Sequence, residues 1–209
     1  MEHESRQAHW ENVYTSKSEN EVSWFQDSPA PSLELIARVG ATPASAIIDI
    51  GGGASRLVDN LIEKGFEDVT VLDLSGAALD SAKRRLGDRA ARVHWVVADA
   101  TIWEPAKAYD IWHDRAALHF LSEENDRAAY IARLKRALKV GGHAIIATFA
   151  MDGPEKCSGL PVVRYDAASL GRALGHVFKL VHTRRHEHAT PWNSQQAFQF
   201  SIFRHEGWG

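Results

Sequence analysis

Short, mostly apolar runs alternate along this chain with stretches whose apolar residues recur at helical spacing. Residues 46–50, 69–73, 93–97 and 109 to 113 or 114 are runs of the first kind, and 143–149 is apolar enough for a central strand. Helical spacing fills about 54–64, 75–86 and 122–138. This alternation predicts buried parallel strands joined by crossover helices. Gly65 and the pair Gly141 and Gly142 read as stops, and Ser75 and Ser122 as N-caps. Two long β-like runs, 177–185 and 195–204, close the chain and predict an antiparallel pair. Before them lie an irregular loop at 150–161 and a short helix from Asp166 to Leu174. Upstream of the first strand the pattern predicts helices over 5–15 and 33–39, with a polar loop at 16–23 and the adjacent aromatics Trp24 and Phe25 between them. The expected fold is α/β, a doubly wound seven-stranded sheet, mostly parallel with an antiparallel C-terminal pair.

Composition narrows this picture little. A length of 209 residues suits one α/β domain, expected over 1–209, with residues 1–40 as a helical cap. The residues are 44% hydrophobic and 24% charged, ordinary for a globular protein. A net charge of −3 does not advertise a nucleic-acid groove, so no nucleic-acid partner is expected. No apolar run is long enough to span a membrane, and the charged N-terminus has no signal-peptide core. A single cysteine, Cys157, excludes an internal disulfide and fits a reducing compartment, so a cytoplasmic monomer or homodimer is expected.

The chemistry concentrates at the end of the first strand. Asp49 closes the apolar run, Gly51, Gly52 and Gly53 follow, and a helix begins near Leu57. Glycines there let the chain turn sharply and let a ligand approach main-chain N–H groups. A pyrophosphate favours a helix N-terminus without an acid beside it, and Asp49 is such an acid. The third glycine of a dinucleotide fingerprint is Arg56, and no phosphate-loop lysine follows. Asp73 ends the next run, where a carboxylate suits a ribose diol. A cationic ligand carrying a ribose points to S-adenosylmethionine.

Asp49 to Gly53, then Val71, Leu72, Asp73, Leu74 and Ser75, then Asp99 and Ala100, together resemble the class I S-adenosylmethionine-dependent methyltransferase family. The family's usual glycine two positions after Gly53 is Ser55 here. The resemblance implies a Rossmann-like fold, S-adenosylmethionine as cofactor and S-adenosylhomocysteine as product. It implies cofactor contacts from Trp24, Asp49, Gly51, Gly53, Arg56, Asp73, Leu74, Asp99, Ala100 and Asp114. Asp99 is expected at the adenine amine, because a carboxylate accepts from an amino group. The implied N-terminal segment is a lid over cofactor and substrate. Packing onto the domain is the plainer role for Trp24 and Phe25.

Strand carboxyl ends hold the ligands of open α/β sheets, which makes His113, Asp114, Arg115 and His119 candidates. His113 and His119 are the candidate bases if the acceptor needs one. The alternative for each histidine is a hydrogen-bonded structural role. Arg115, Cys157, His188 and Trp192 are candidate acceptor contacts, since functional loops cluster at one end of such a sheet. His182, His186 and His188 share parity on a strand, but no metal-ligand spacing accompanies them, and no metal is expected.

Methyl transfer from a sulfonium requires an acceptor lone pair held in line with the methyl carbon, with water excluded. A short chain with aromatic loops suits a small-molecule acceptor. Two alternatives stand beside it. Asp114, Arg115 and His119 partly resemble a stretch of eukaryotic lysine methyltransferases, which would make a protein the acceptor. A non-catalytic cofactor-binding protein is the third reading.

Overall fold

A computed structural model describes residues 3–18 and 21–207. Residues 19 and 20 of the expected polar loop, and both extreme ends of the expected domain, lie outside the described residues.

The chain folds into a sheet of order β3-β2-β1-β4-β5-β9-β8. Strands β1 (Ala46–Ile50), β2 (Asp68–Asp73), β3 (Val93–Val97), β4 (Tyr109–Arg115) and β5 (Leu138–Phe149) run parallel. Strand β9 (Gln195–His205) is antiparallel to β5, and β8 (Phe178–Ala189) is antiparallel to β9. The expected α/β class and strand directions agree with this arrangement. β1 is buried along its whole length because helices cover both faces, which is why its sequence is apolar without alternation. On one face Ile47, Val69, Val71 and Ile145 pack on α3 (Leu57–Glu63) and on α2 (Ala30–Arg38). On the other, Ile48, Trp112 and Ile146 pack on α5 (Glu124–Ala137) and α6 (Ala167–Leu174). Helix α4 (Gly76–Leu86) connects β2 to β3, and α1 (His3–Ser16) packs beside it.

Several boundaries move from their sequence expectations. α3 starts at Leu57, because the glycine turn consumes residues 51–56. α5 starts at Glu124 with Glu123 as an N-cap that makes no side-chain cap bond, so Ser122 does not cap it. The Ser122 N–H instead donates to Phe120 O, inside the turn that leaves β4. β5 begins at Leu138, directly where α5 stops, and Gly141 at φ +84° carries the irregular step against β4. The 150–161 loop contains a two-stranded hairpin, β6 (Lys156–Cys157) and β7 (Leu160–Pro161). β8 continues to Ala189, four residues beyond the expected run, because it stays paired with β9 to Gln195. Ser75 does cap α4, accepting from Ala78 N, and Asp166 heads α6 in a capping box with Ser169.

Candidate active site

The carboxyl ends of β1, β2, β3 and β4 open into one cavity with about 900 Å³ of free space, part of it facing solvent. Its floor is set by backbone. Gly51 turns with φ +64°, and a Cβ there would lie 2.8 Å from Ala117 Cβ, so only glycine lets the two loops meet. Ala116, also on the floor, sits at φ +74°, a conformation that costs a non-glycine residue roughly 1–2 kcal/mol. Asp114 holds that turn. Its Oδ1 accepts from Ala117 N at 2.8 Å, and its Oδ2 accepts from Leu118 N at 3.0 Å and Tyr130 Oη at 2.5 Å. Burial raises the Asp114 carboxyl to about 6 despite these donors. Asp114 is therefore spent inside the fold and does not line the cavity.

Two carboxylates do line it. Asp73 Oδ1 accepts from Ser75 N at 2.8 Å, while Oδ2 faces Gly53, where a Cβ would lie 2.9 Å away. Burial, with Asp49 and Glu11 nearby, raises the Asp73 carboxyl to about 7, against the Ser75 and Gly53 N–H groups that lower it. Asp99 Oδ1 accepts from Thr101 N and Oγ1, and Oδ2 accepts from Arg6 Nη2 at 2.8 Å. Leu74 and Ala100 lie on the wall between them.

Helix α1 roofs the cavity. Arg6, Trp10 and Tyr14 recur at i, i+4 and i+8, so one helix face meets it. Glu11 fixes the helix to α4, accepting from Ser75 Oγ at 2.7 Å and from Ala77 N. Trp24 lines the cavity as well, stacking edge-on to Trp10 at 5.6 Å and donating from Nε1 to Tyr14 Oη at 3.2 Å. Arg115 Nη2 donates to Trp24 O at 2.7 Å, which joins the N-terminal segment to the end of β4.

The other sequence candidates divide sharply. Asp49 and His113 lie in the interior, off the cavity: His113 Nδ1 donates to Asp49 Oδ1 at 2.6 Å, and Nε2 meets Ser32 Oγ at 2.8 Å. Both ring nitrogens are thus committed to a bridge between β4, β1 and α2. His119 is fully buried behind the cavity wall, between Phe120 at 4.4 Å and Phe149 at 4.9 Å. Burial and the nearby Arg115 charge pull its imidazole down to about 3, so it stays neutral. Neither histidine reaches the cavity lining. Arg56 stacks 5.5 Å from the Phe25 ring in a smaller depression with Trp24, and Gly53 supports Asp73 from behind. Cys157 lines the cavity, its thiol raised to about 11 by burial and hence protonated. His188 is buried and donates from Nε2 to Ser23 O at 2.7 Å, tying β8 to the N-terminal segment. Trp192 is 57% exposed on the β8–β9 turn, outside the lining. His182 and His186 share one face of β8, and among the described residues no group of three metal-ligand side chains converges. Arg6, Trp10 and Gln196 of the lining were not singled out from sequence. The i, i+4 pairing of Trp10 with Tyr14 is visible in the sequence, but Arg6 one turn earlier carries no signal of its partner Asp99.

Residues 47–142 match the family described as Methyltransferase domain. Trans-aconitate 2-methyltransferase of Methylobacterium radiotolerans is 33% identical over 168 residues, 72% of this chain and 60% of that protein. Over this stretch the chain is similar to the class I S-adenosylmethionine-dependent methyltransferases. It spans 60% of the length of that curated relative. The eEF1A lysine and N-terminal methyltransferase of Danio rerio is 24% identical over 69% of this chain, which covers 21% of that protein. Among solved structures, 1,6-didemethyltoxoflavin-N1-methyltransferase of Burkholderia thailandensis shares the fold, with a TM-score of 0.74, 20% identity, and coverage of 99% of this chain and 92% of that one.

The cofactor of this family is S-adenosylmethionine, and the residues present fit it. Asp73 and Asp99 bring acceptor oxygens to the ends of adjacent strands, as a ribose and an adenine amine require. Trp10, Trp24, Phe120 and Phe149 supply aromatic surface to a positive centre. The glycine turn leaves the floor free of side chains.

Proposed function

We propose that this protein methylates a small organic molecule held in the aromatic half of the cavity. The carrying observation is that one partly open cavity joins the ends of β2 and β3, where Asp73 and Asp99 lie, to aromatic side chains beside β5 and β9, under α1. When bound, the cofactor supplies an electrophilic methyl group and a neutral thioether leaving group.

This chain's residues then have four tasks. Asp73 accepts from ribose hydroxyls with the oxygen that faces Gly53. Asp99, held by Thr101 and Arg6, sits at the adenine edge with its orientation fixed before binding. Trp10, Trp24, Phe149 and Phe198 form apolar walls that place an acceptor and exclude water. The N-terminal segment closes the chamber through Glu11 on α4, Arg115 on Trp24 and His188 on Ser23. A cavity roofed by α1 and lined mainly by apolar side chains favours a compact acceptor over a folded protein surface.

Calorimetry with S-adenosylhomocysteine and with NAD tests the cofactor, and labelled methyl transfer in fractionated extract tests the acceptor. Binding of the first ligand alone, with label in the small-molecule fraction, is expected. Absence of S-adenosylhomocysteine binding, or label confined to protein, refutes the reading.

A further inference from the structure

Two polar atoms of the cavity lining lack a protein partner. Arg115 leaves the carboxyl end of β4 with Nη2 bonded to Trp24 O, while its Nη1 is buried and unpaired. Gln196, at the start of β9, presents a buried Oε1 that is equally unpaired. Buried polar groups in native proteins are almost always hydrogen-bonded, and an unpaired donor on a charged group is the costlier kind. Such a pair of orphans in one cavity specifies what should enter it.

Their position is on the acceptor side. β9 lies beyond β5 in the sheet, away from β2 and β3, whose ends carry Asp73 and Asp99. The Arg115 guanidinium lies 6.0 Å over the ring of Phe198, which itself packs 4.9 Å from Phe149. Cys157 of the β6–β7 hairpin faces the same guanidinium with a protonated, neutral thiol. A planar cation with a free donor in an apolar chamber calls for a planar anion, and the carboxylate is its match in shape and charge. An amide oxygen accepts only, so Gln196 calls for an O–H or N–H. A neutral acceptor would leave Nη1 unpaired, and a dianion would add excess negative charge to a guanidinium already within the field of the buried Asp49.

We propose that Arg115 and Gln196 are the specificity-determining residues for the acceptor, and that the acceptor is a small hydroxy or amino carboxylic acid. Its carboxylate meets Arg115 Nη1, and its O–H or N–H meets Gln196 Oε1. This rests on the functional reading above. The competing occupant of Arg115 is the cofactor's own carboxylate, since β4 lies beside β1 and Arg115 shares the cavity lining with Gly51 and Tyr14.

The test is calorimetry on the full chain, first with S-adenosylhomocysteine alone. The saturated protein is then titrated with a panel of hydroxy and amino carboxylic acids, each paired with its carboxamide and its deoxy or deamino analogue. Acids are expected to bind at least about tenfold more tightly than their amides, as one charge-assisted bond provides. Arg115→Gln should abolish that preference, and because it also releases Trp24 O it should weaken S-adenosylhomocysteine no more than His188→Ala, which releases the same segment at Ser23. Gln196→Leu should weaken the acids to the level of their deoxy or deamino analogues, and it reports independently if Arg115→Gln does not fold. Amides binding as well as acids, or no acid binding to the saturated protein, overturns the proposal. So does a greater loss of S-adenosylhomocysteine affinity in folded Arg115→Gln than in His188→Ala, which would give Arg115 to the cofactor. A wild-type protein that fails to bind S-adenosylhomocysteine at all refutes the functional reading instead.

Discussion

Asp73→Asn should stabilise the protein without cofactor while weakening its hold on S-adenosylhomocysteine. In the fold the Asp73 carboxyl is raised to about 7, chiefly by burial and then by the charges of Asp49 and Glu11. An exposed aspartate in the unfolded chain titrates near 4. A raised acid binds its proton more tightly when folded, so its contribution to stability is complete below about pH 4 and is lost as the pH rises through about 7. Three units at about 1.4 kcal/mol each amount to roughly 4 kcal/mol. About 1 kcal/mol of that falls between pH 6 and 8. Asparagine carries no charge, so above pH 7 it recovers this loss. Its Oδ1 still accepts from Ser75 N, but its amide would face the Gly53 N–H, and two opposed donors return about 1–3 kcal/mol. The expected net gain is therefore about 1–3 kcal/mol at pH 8. Urea unfolding of both proteins at pH 6, 7 and 8 measures it. The wild-type curve should fall across this window more steeply than the mutant curve, and calorimetry should show S-adenosylhomocysteine bound at least about tenfold more weakly by the mutant. Parallel pH curves, or unchanged affinity in a folded mutant, would refute both the buried charge and its ribose role.

Two other outcomes follow from the same geometry. His119→Leu should retain methyl transfer, because the imidazole lies behind the cavity wall with neither nitrogen bonded. The neutral histidine, pulled down to about 3, contributes stability that is present above about pH 6.5 and lost as the pH falls toward 3. Unfolding at pH 4 and 7 should thus show the leucine variant less acid-sensitive, and a collapse of turnover with intact cofactor binding would restore His119 as the base. Glu11→Ala should release α1 from α4 at a cost of about 0.5–2 kcal/mol, by removing the acceptor for Ser75 Oγ and Ala77 N. Hydrogen exchange should quicken in residues 3–18, and S-adenosylhomocysteine should slow it in the wild type. Equal exchange with and without the ligand would reduce α1 to a packed structural helix.

The strand and helix pattern was legible because local physics decides it. A strand buried on both faces reads as a near-continuous apolar run, and β1 begins and ends where its run does, as does the half-exposed edge strand β3. Ser75 and Asp166 cap helices through bonds that span three residues, so sequence alone locates them. Asp73 and Asp99 were legible for a related reason: the last residue of β2 and the loop that directly follows β3 lie at the ligand-binding edge of the sheet. Local signals failed where a neighbour distant in sequence sets the outcome. Nothing near Asp114 announces that Tyr130 and its own loop N–H groups will consume both its oxygens. His113 and Asp49 look like site residues until the register of β1 against β4 sets them side by side and α2 brings Ser32 to the ring. Arg115 at the end of β4 and Trp192 on the β8–β9 turn are both polar-tipped side chains at the margin of an element. Only the packing of Trp24 and Phe198 around one of them turns it inward, while the other stays in solvent. The sequence by itself determined which segments become strands and where their ligand-facing ends lie, since that information sits within a few residues. Which end-of-strand groups meet a ligand was decided by tertiary structure, because a partner distant in sequence either draws a group off the cavity, as with Asp49, His113 and Asp114, or braces it on the cavity wall, as Arg6 braces Asp99.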